Sequence, residues 1–260
     1  MIVFRQIKAL LSLLTRIPLR GQSIEEAAKV FYLVPLVGII EGAIVVVVLV
    51  LPLWLNIDPT LISALSLLTH TLITGGIHID GLADYSDVIG SLKRGDRALE
   101  VLKDPRKGSF AIIAISLRMI IGLVSLSTLI STVKLKVIPT ILTLYIASAE
   151  AMFITCYFGN EEPYEGIAKH FSKHSKNRVC LIRNFLCYAV FSALVVVLSG
   201  VSQAAVIILL TPIVIGFLVS YDANRRLGFV NGDVLGFSYE LVNTSTLLLA
   251  ATLDSAGWLI

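Results

Sequence analysis

Apolar residues in this chain come in long runs, without the strict alternation of a strand or the single stripe of a soluble helix. Seven stretches, at about 30–51, 60–76, 109–132, 137–158, 179–199, 204–221 and 234–253, approach the roughly 20 residues a helix needs to cross a hydrocarbon core. The second and sixth are short, which leaves six spans with one re-entrant segment as the alternative. Pro52 and Asn56-Ile57-Asp58-Pro59 punctuate the first turn, and Ser199-Gly200 the tight one before the sixth span. Pro35 and Pro212 fall inside spans, where neighbouring helices absorb a kink. Ahead of the first span, Phe4, Ile7, Leu11 and Leu14 share one helical face, and Arg5, Lys8, Ser12 and Thr15 the other. That pattern predicts an interfacial helix over residues 1–20, ending near Pro18, and not a cleavable signal peptide. The predicted fold class is all-α: a polytopic helical membrane bundle of about seven spans, with residues 1–260 as a single domain.

Composition supports this. Of 260 residues, 56% are hydrophobic and 15% charged, with mean hydropathy +0.88. A soluble domain of this size has no use for so much apolar side chain, because its surface must face water. The formal charge of +3 is too small to point to nucleic acid. Its distribution says more. All Lys and Arg except Arg118, Lys134 and Lys136 fall before the first span or in the segments 77–108, 159–183 and 222–226. The positive-inside rule therefore expects a cell-membrane protein with its N-terminus and these segments cytoplasmic and its C-terminus outside. Tyr32, Trp54, Tyr157 and Trp258 sit at span edges as expected interfacial anchors. Cys156, Cys180 and Cys187 form no CxxC pair and read as core residues.

The chemistry-bearing residues crowd into Thr74–Phe110, expected to be a cytoplasmic loop over 77–108. Asp80, Asp84 and Asp87 are spaced i, i+4, i+7, which puts three carboxylates on one face of a helix. Like charges at that spacing repel unless a cation lies between them, and Mg²⁺ takes hard oxygen ligands from carboxylates and phosphates. The bland alternative is a solvated helix end. Gly75, Gly76 and Gly81 allow close backbone approach to a ligand. Lys93 and Arg94 are sufficiently explained as topology signal. Lys103 and Arg106 flank Asp104 just before a helix start at Gly108-Ser109, a setting suited to phosphate. A second edge, over 222–240, carries Gly232-Asp233 and Glu240; Asp233 is a candidate cap of the last span, and shares a face with Glu240. Inside the spans, Glu41, His70, Arg118 and Glu150 are costly at membrane depth and should face the interior. Arg118 pairs with Glu150 or Glu41, or contacts substrate; His70 reads as a hydrogen-bonded core residue.

These residues resemble the cobalamin-5'-phosphate synthases, the adenosylcobinamide-GDP ribazoletransferases. The match runs nearly end to end, through Leu14-Thr15-Arg16-Ile17-Pro18, Val34-Pro35-Leu36-Val37-Gly38, the segment from Thr74 to Asp84, Asp96-Arg97, Glu100, Lys103-Asp104 with Arg106 and Gly108, Glu165-Gly166, and Gly232-Asp233 with Leu235-Gly236 and Glu240. The chain departs from the family pattern at Val88, at Gly228–Asn231, at Glu150 and at Asn243. The resemblance implies a Mg²⁺-dependent, multi-pass transferase. It would join adenosylcobinamide-GDP to α-ribazole or α-ribazole 5'-phosphate and release GMP, a late step of cobalamin biosynthesis. It implies metal ligation by Asp80 and Asp84 with Asp104 and Asp233, catalytic roles for His78, Asp87, Lys103 and Arg106, and substrate contacts at Gly75, Gly76, Arg97, Gly232 and Glu240. Expected partners are the two substrates and the lipid bilayer; a homo-oligomer is compatible with the sequence. A transporter of a small anionic solute is the weaker reading, because no internal repeat is evident and the acids cluster at one surface. Phosphotransfer to a lipid alcohol is weaker too, since no Ala-Arg follows Asp80-Gly81-Leu82.

Overall fold

The computed structural model describes residues 2–19, 23–199 and 203–257, without the side chains of 198–199 and 203–207. Arg20, Gly200 and Trp258, invoked above for topology, a turn and an anchor, lie outside the described residues. Within them the chain is helical: α1 (Ile2–Leu14), α2 (Ile24–Lys29), α3 (Val34–Trp54), α4 (Pro59–Thr74), α5 (Ile77–Ser91), α6 (Asp96–Leu102), α7 (Ser109–Val133), α8 (Val137–Phe158), α9 (Ile167–Ser175), α10 (Arg178–Ser199), α11 (Gln203–Arg226) and α12 (Gly232–Ser255).

The interior is built on α8 and α12. Most of α8 from Thr143 to Cys156 is buried, and so is nearly all of α12 from Val234 to Asn243. Small residues set the spacing, as expected where helices gain from close packing rather than from escaping water. A Cβ on Gly38 would stand 2.3 Å from the Tyr145 carbonyl oxygen, and one on Gly216 2.9 Å from the Ile154 side chain. Helix α7 runs parallel to α12: Arg118 meets Glu240 and Thr132 meets Asp254. Helix α8 runs the opposite way, with Ser148 at Asn243 and Gly159 at Val230. The chain therefore reverses at Lys134–Lys136, where Lys134 takes φ +51°.

The expected seven spans are not confirmed. By length and apolarity five stretches qualify, one of them the 50-residue Ser109–Phe158 that contains α7 and α8. The count becomes six if α4 and α5 form one span bent by 91°. That bend has a local cause. Gly75 and Gly76 take φ +63° and +72°, a left-handed pair that ends α4 and restarts the helix as α5. A Cβ on Gly75 would also stand 2.2 Å from the Arg16 side chain.

The segment 77–108 is not a loop; most of it is α5 and α6. Pro35 sits in the first turn of α3, where the missing N–H costs nothing, so no kink arises there. Pro52 lies inside the last turn of the same helix. Helix α1 is amphipathic but less simply so than expected. Ala9, Leu10, Leu11 and Leu14 pack inward, while Phe4 stays exposed at its free end. One end of the bundle gathers the basic segments: Gly95 N–H donates to the Arg226 carbonyl, Val230 N–H to Asn160, and Arg16 N–H to Ile73. Trp54 is exposed at the other end of α3.

Candidate active site

The polar end is organised by the crossing of α5 over the start of α12. A Cβ on Gly81 would lie 2.6 Å from the Asp233 carbonyl oxygen, and one on Gly236 3.1 Å from the His78 Cα. Only glycines at these two positions let the helix backbones touch. The consequence is that Asp80 and Asp84, one turn apart on α5, come beside Asp233 in the first turn of α12, close enough for their charges to interact. Between Asp80 and Asp84 stands the ammonium of Lys107, 2.6 Å from one carboxylate and 2.5 Å from the other. Partial burial works against the charge on Lys107, but these hydrogen bonds prevail and raise its pKa. The Asp80 side chain is 60% exposed and that of Asp84 16%, so the cluster faces outward at the polar end. Asn231, not Asp233, caps α12; its side chain accepts from Val234 N–H and donates to Asp233.

Other expected site residues have different partners. Asp87 accepts from the N–H groups of Gly108 (2.6 Å) and Ala111 (2.9 Å), so it caps α7 from across the site. Helix α7 begins Gly108-Ser109 with no capping side chain of its own, which is the local reason a distant carboxylate is needed. Asp104 and Arg106 hold each other in a two-pronged pair at 3.0 and 2.8 Å. The guanidinium holds the Asp104 carboxyl down at about 2. Lys103 lies over the Tyr164 ring, 4.6 Å from its centroid. Arg97 and Gly232 are exposed at the same end of the bundle. Gly75 and Gly76 form the α4–α5 break, and nothing approaches the open side of Gly76.

His78, Glu240 and Arg118 belong to a buried network beneath this edge. The His78 ring is covered and stacks on Tyr239 with centroids 4.3 Å apart. The Tyr239 hydroxyl donates to Glu41 at 2.5 Å. Glu240 is fully buried, one oxygen bound to His70 and the other to Arg118, each at 2.8 Å. Arg118 thus pairs with Glu240, not with Glu150 or Glu41, and Glu240 points into the bundle rather than to the polar edge. Glu150 accepts from Asn184 at 3.0 Å. His70 is the hydrogen-bonded interior residue expected, and the three cysteines are free.

Two residues at the edge escaped the sequence reading. Lys107 looked like one more topology cation, although its spacing from Asp80 and Asp84 gave no warning of contact. Glu162, between α8 and α9, is half-buried, has one oxygen with no partner among the described residues, and interacts with Asp233 through charge. Burial raises its pKa. Among the described residues, no three acidic, histidine or cysteine side chains converge on one metal-sized point. What the edge does offer is a pair of carboxylates already arranged about a cation, the Lys107 ammonium, with a third carboxylate beside them.

A family model for cobalamin-5-phosphate synthase matches residues 6–251. A protein of Clostridium acetobutylicum named adenosylcobinamide-GDP ribazoletransferase is 28% identical over 255 residues, 95% of this chain and 96% of its own. Proteins of the same name from Shigella dysenteriae and Citrobacter koseri are each 31% identical, over 90% of this chain and 94% of theirs. No solved structure matches.

Proposed function

We propose an activity for this chain, which belongs to the cobalamin-5-phosphate synthase family: Mg²⁺-dependent transfer of the cobinamide phosphate of adenosylcobinamide-GDP to a ribose hydroxyl of α-ribazole or its 5'-phosphate. The hydroxyl oxygen forms a bond to the cobinamide-side phosphorus, the bond to the bridging oxygen breaks, and GMP leaves with that oxygen. The observation that carries this reading is the meeting of Asp80, Asp84 and Asp233 about the Lys107 ammonium at the polar end of the bundle.

The residues fit a magnesium ion. Two carboxylates one turn apart already hold a cationic nitrogen, and Mg²⁺ commonly takes only one or two protein carboxylates, the rest of its shell being water and phosphate oxygens. Asp80 and Asp84 would hold it, with Asp233 beside them. Its contribution would be to neutralise charge on the pyrophosphate as the phosphorus is attacked. With Asp80 and Asp84 holding the ion, the Lys107 ammonium would be free to act as a point charge towards phosphate. Lys103 would add positive charge to the same approach, and Arg106 would do so on leaving Asp104. Asp87 fixes the start of α7 and thereby the strand of chain from Lys103 to Gly108 that carries these cations. Two groups remain for the acceptor proton, His78 as expected from sequence and Glu162 from the structure; Glu162 is the more accessible. The clustering of basic segments at this end supports a cytoplasmic site, where nucleotide substrates are found.

The test is a turnover assay of the full chain in membranes with adenosylcobinamide-GDP, α-ribazole and Mg²⁺. GMP and a cobamide appear together if the reading is right. GMP without the cobamide, or neither, overturns it.

A further inference from the structure

The segment 159–166, which joins α8 to α9, is clamped to the turn between α11 and α12 through Asn160. The Asn160 N–H donates to the Asn224 side chain at 2.6 Å, and its own side chain donates to the Gly228 carbonyl at 3.0 Å. Its carbonyl accepts from Val230 N–H at 3.0 Å. Asn224 also donates to the Phe158 carbonyl at 3.3 Å, closing the clamp from the α11 side. Further along, Tyr164 meets Phe229 edge to face, centroids 6.0 Å apart. Glu162 follows Asn160 by two residues, and Asp233 follows Val230 by three. The clamp therefore fixes the place of Glu162 relative to Asp233, near enough for their charges to interact.

The other polar groups of this edge are already engaged. Asp80 and Asp84 hold Lys107, Asp87 caps α7, Asp104 holds Arg106, and Asp233 accepts from Asn231. Glu165 holds Lys169 at 2.6 Å. The His78 ring is covered by Tyr239, with its Nε2 buried. Glu162 differs: its Oε2 has no partner among the described residues, and a Cβ on Gly166 would stand against that same oxygen. Glycine at 166 thus keeps one side of the carboxylate open. A carboxylate oxygen left unpaired is costly, and a hydroxyl arriving with the acceptor would supply its donor. Burial raises the pKa of Glu162, and the charges of Asp233 and Glu165 add to this against the N–H and ammonium of Lys169. A positioned base gains as its pKa approaches the working pH.

We propose, resting on the transferase reading above, that Glu162 is the general base of the transfer, with Asn160, Asn224 and Gly166 as its positioning residues. A Glu162 oxygen takes the proton of the attacking ribose hydroxyl while the hydroxyl oxygen bonds to the cobinamide-side phosphorus. The bond to the bridging oxygen breaks, and its electron pair leaves on GMP. Because Glu162 is only half-buried, the protonated carboxyl returns its proton to water before the next turnover.

The test is steady-state GMP release by the full chain in membranes, normalised to folded protein from detergent melting. Glu162→Gln keeps the size of the side chain and removes the base, so kcat falls by about a hundredfold or more. KM for adenosylcobinamide-GDP and the Mg²⁺ dependence stay as they were. In the unsubstituted chain kcat/KM falls on acidification as the base takes up its proton; Glu162→Gln lacks that limb. Formate restores part of the turnover lost in Glu162→Ala. Gly166→Ala displaces only the end of a flexible side chain, so the melt is unchanged while kcat falls by about tenfold, and the same substitution has no further effect in the Glu162→Gln background. Asn224→Ala, which loosens the clamp, also lowers kcat rather than raising KM. Turnover of Glu162→Gln near that of the unsubstituted chain overturns the proposal and leaves the transferase reading standing. A changed Mg²⁺ requirement in that variant also overturns it, by making Glu162 a metal ligand. Gly166→Ala acting equally with and without Glu162 removes the positioning role. No GMP release from the unsubstituted chain overturns the transferase reading and this proposal with it.

Discussion

Gly81→Ala isolates the geometry of the α5–α12 crossing from its chemistry. The added Cβ would lie 2.6 Å from the Asp233 carbonyl oxygen and 3.1 Å from its Cα, where 3.4 Å is an ordinary contact. The obstacle is helix backbone, which cannot turn aside as a side chain can. The two helices must therefore separate locally by roughly 0.8 Å, and Asp233 moves away from Asp80 and Asp84. In stability the change is small: overpacking costs about 1–3 kcal/mol, offset by the roughly 1 kcal/mol that alanine gains over glycine in a helix. In activity it is large, since a misplacement near 1 Å at a phosphoryl-transfer site costs about 100-fold. The assay is GMP release in membranes, normalised to folded protein from detergent melting. Gly122→Ala is the control, because its Cβ meets only the end of the Leu67 side chain at 3.2 Å, and its turnover should stay within about twofold. Full turnover in Gly81→Ala would refute the claim that the crossing sets the relation of the three carboxylates.

Three further outcomes follow from the same contacts. Asp87→Ala removes the acceptor of two α7 N–H groups and should cost about 0.5–2 kcal/mol; the melting temperature falls while the Mg²⁺ dependence of the remaining activity is unchanged, and an unchanged melt with no turnover would make Asp87 a ligand instead. Arg118→Ala leaves Glu240 buried with one oxygen unpaired, which should cost about 3–5 kcal/mol, read as loss of folded protein; Arg118→Ala combined with Glu240→Gln should recover part of that loss. Glu25 accepts from His174 (2.7 Å) and His170 (3.2 Å), and these hydrogen bonds, His174 first, lower its pKa below the usual 4.5. Its contribution to holding α2 on α9 is therefore complete above about pH 4.5 and is lost as pH falls through the depressed value; the gap in melting temperature between the unsubstituted protein and Glu25→Gln should narrow on acidification below about pH 4.5, and a gap that widens instead contradicts the assignment.

The sequence made the bundle and its polar end legible because their signals are local. Apolar runs need only length, and the clustering of cations needs only counting. The break at Gly75-Gly76 could be seen as glycine but not as a 91° bend, since glycine permits the left-handed φ of +63° and +72° taken there without requiring it. The candidate carboxylates were visible from their spacing on α5, yet spacing alone assigned Asp87 to the same site as Asp80 and Asp84. In the structure Asp87 accepts from the start of α7, which lacks a cap of its own and takes the nearest acceptor. Arg118 was recognised as costly within a span and Glu240 was placed at the polar edge, but choosing a partner among several buried charges requires the relative direction of α7 and α12. Lys107 and Glu162 had no local mark at all, because their contacts are to residues more than twenty positions distant or on another helix.

The central claim, that Asp80 and Asp84 hold a magnesium ion at which the cobinamide phosphate is transferred, is tested most directly by GMP release as a function of Mg²⁺ in membranes carrying the unsubstituted chain, Asp80→Asn or Asp84→Asn. The account predicts saturable Mg²⁺ dependence in the first, abolished by chelator and restored by Mg²⁺, and a loss of about a thousandfold or more in each variant with the protein still folded. Chelator-resistant GMP release, or turnover near that of the unsubstituted chain in both variants, would contradict it.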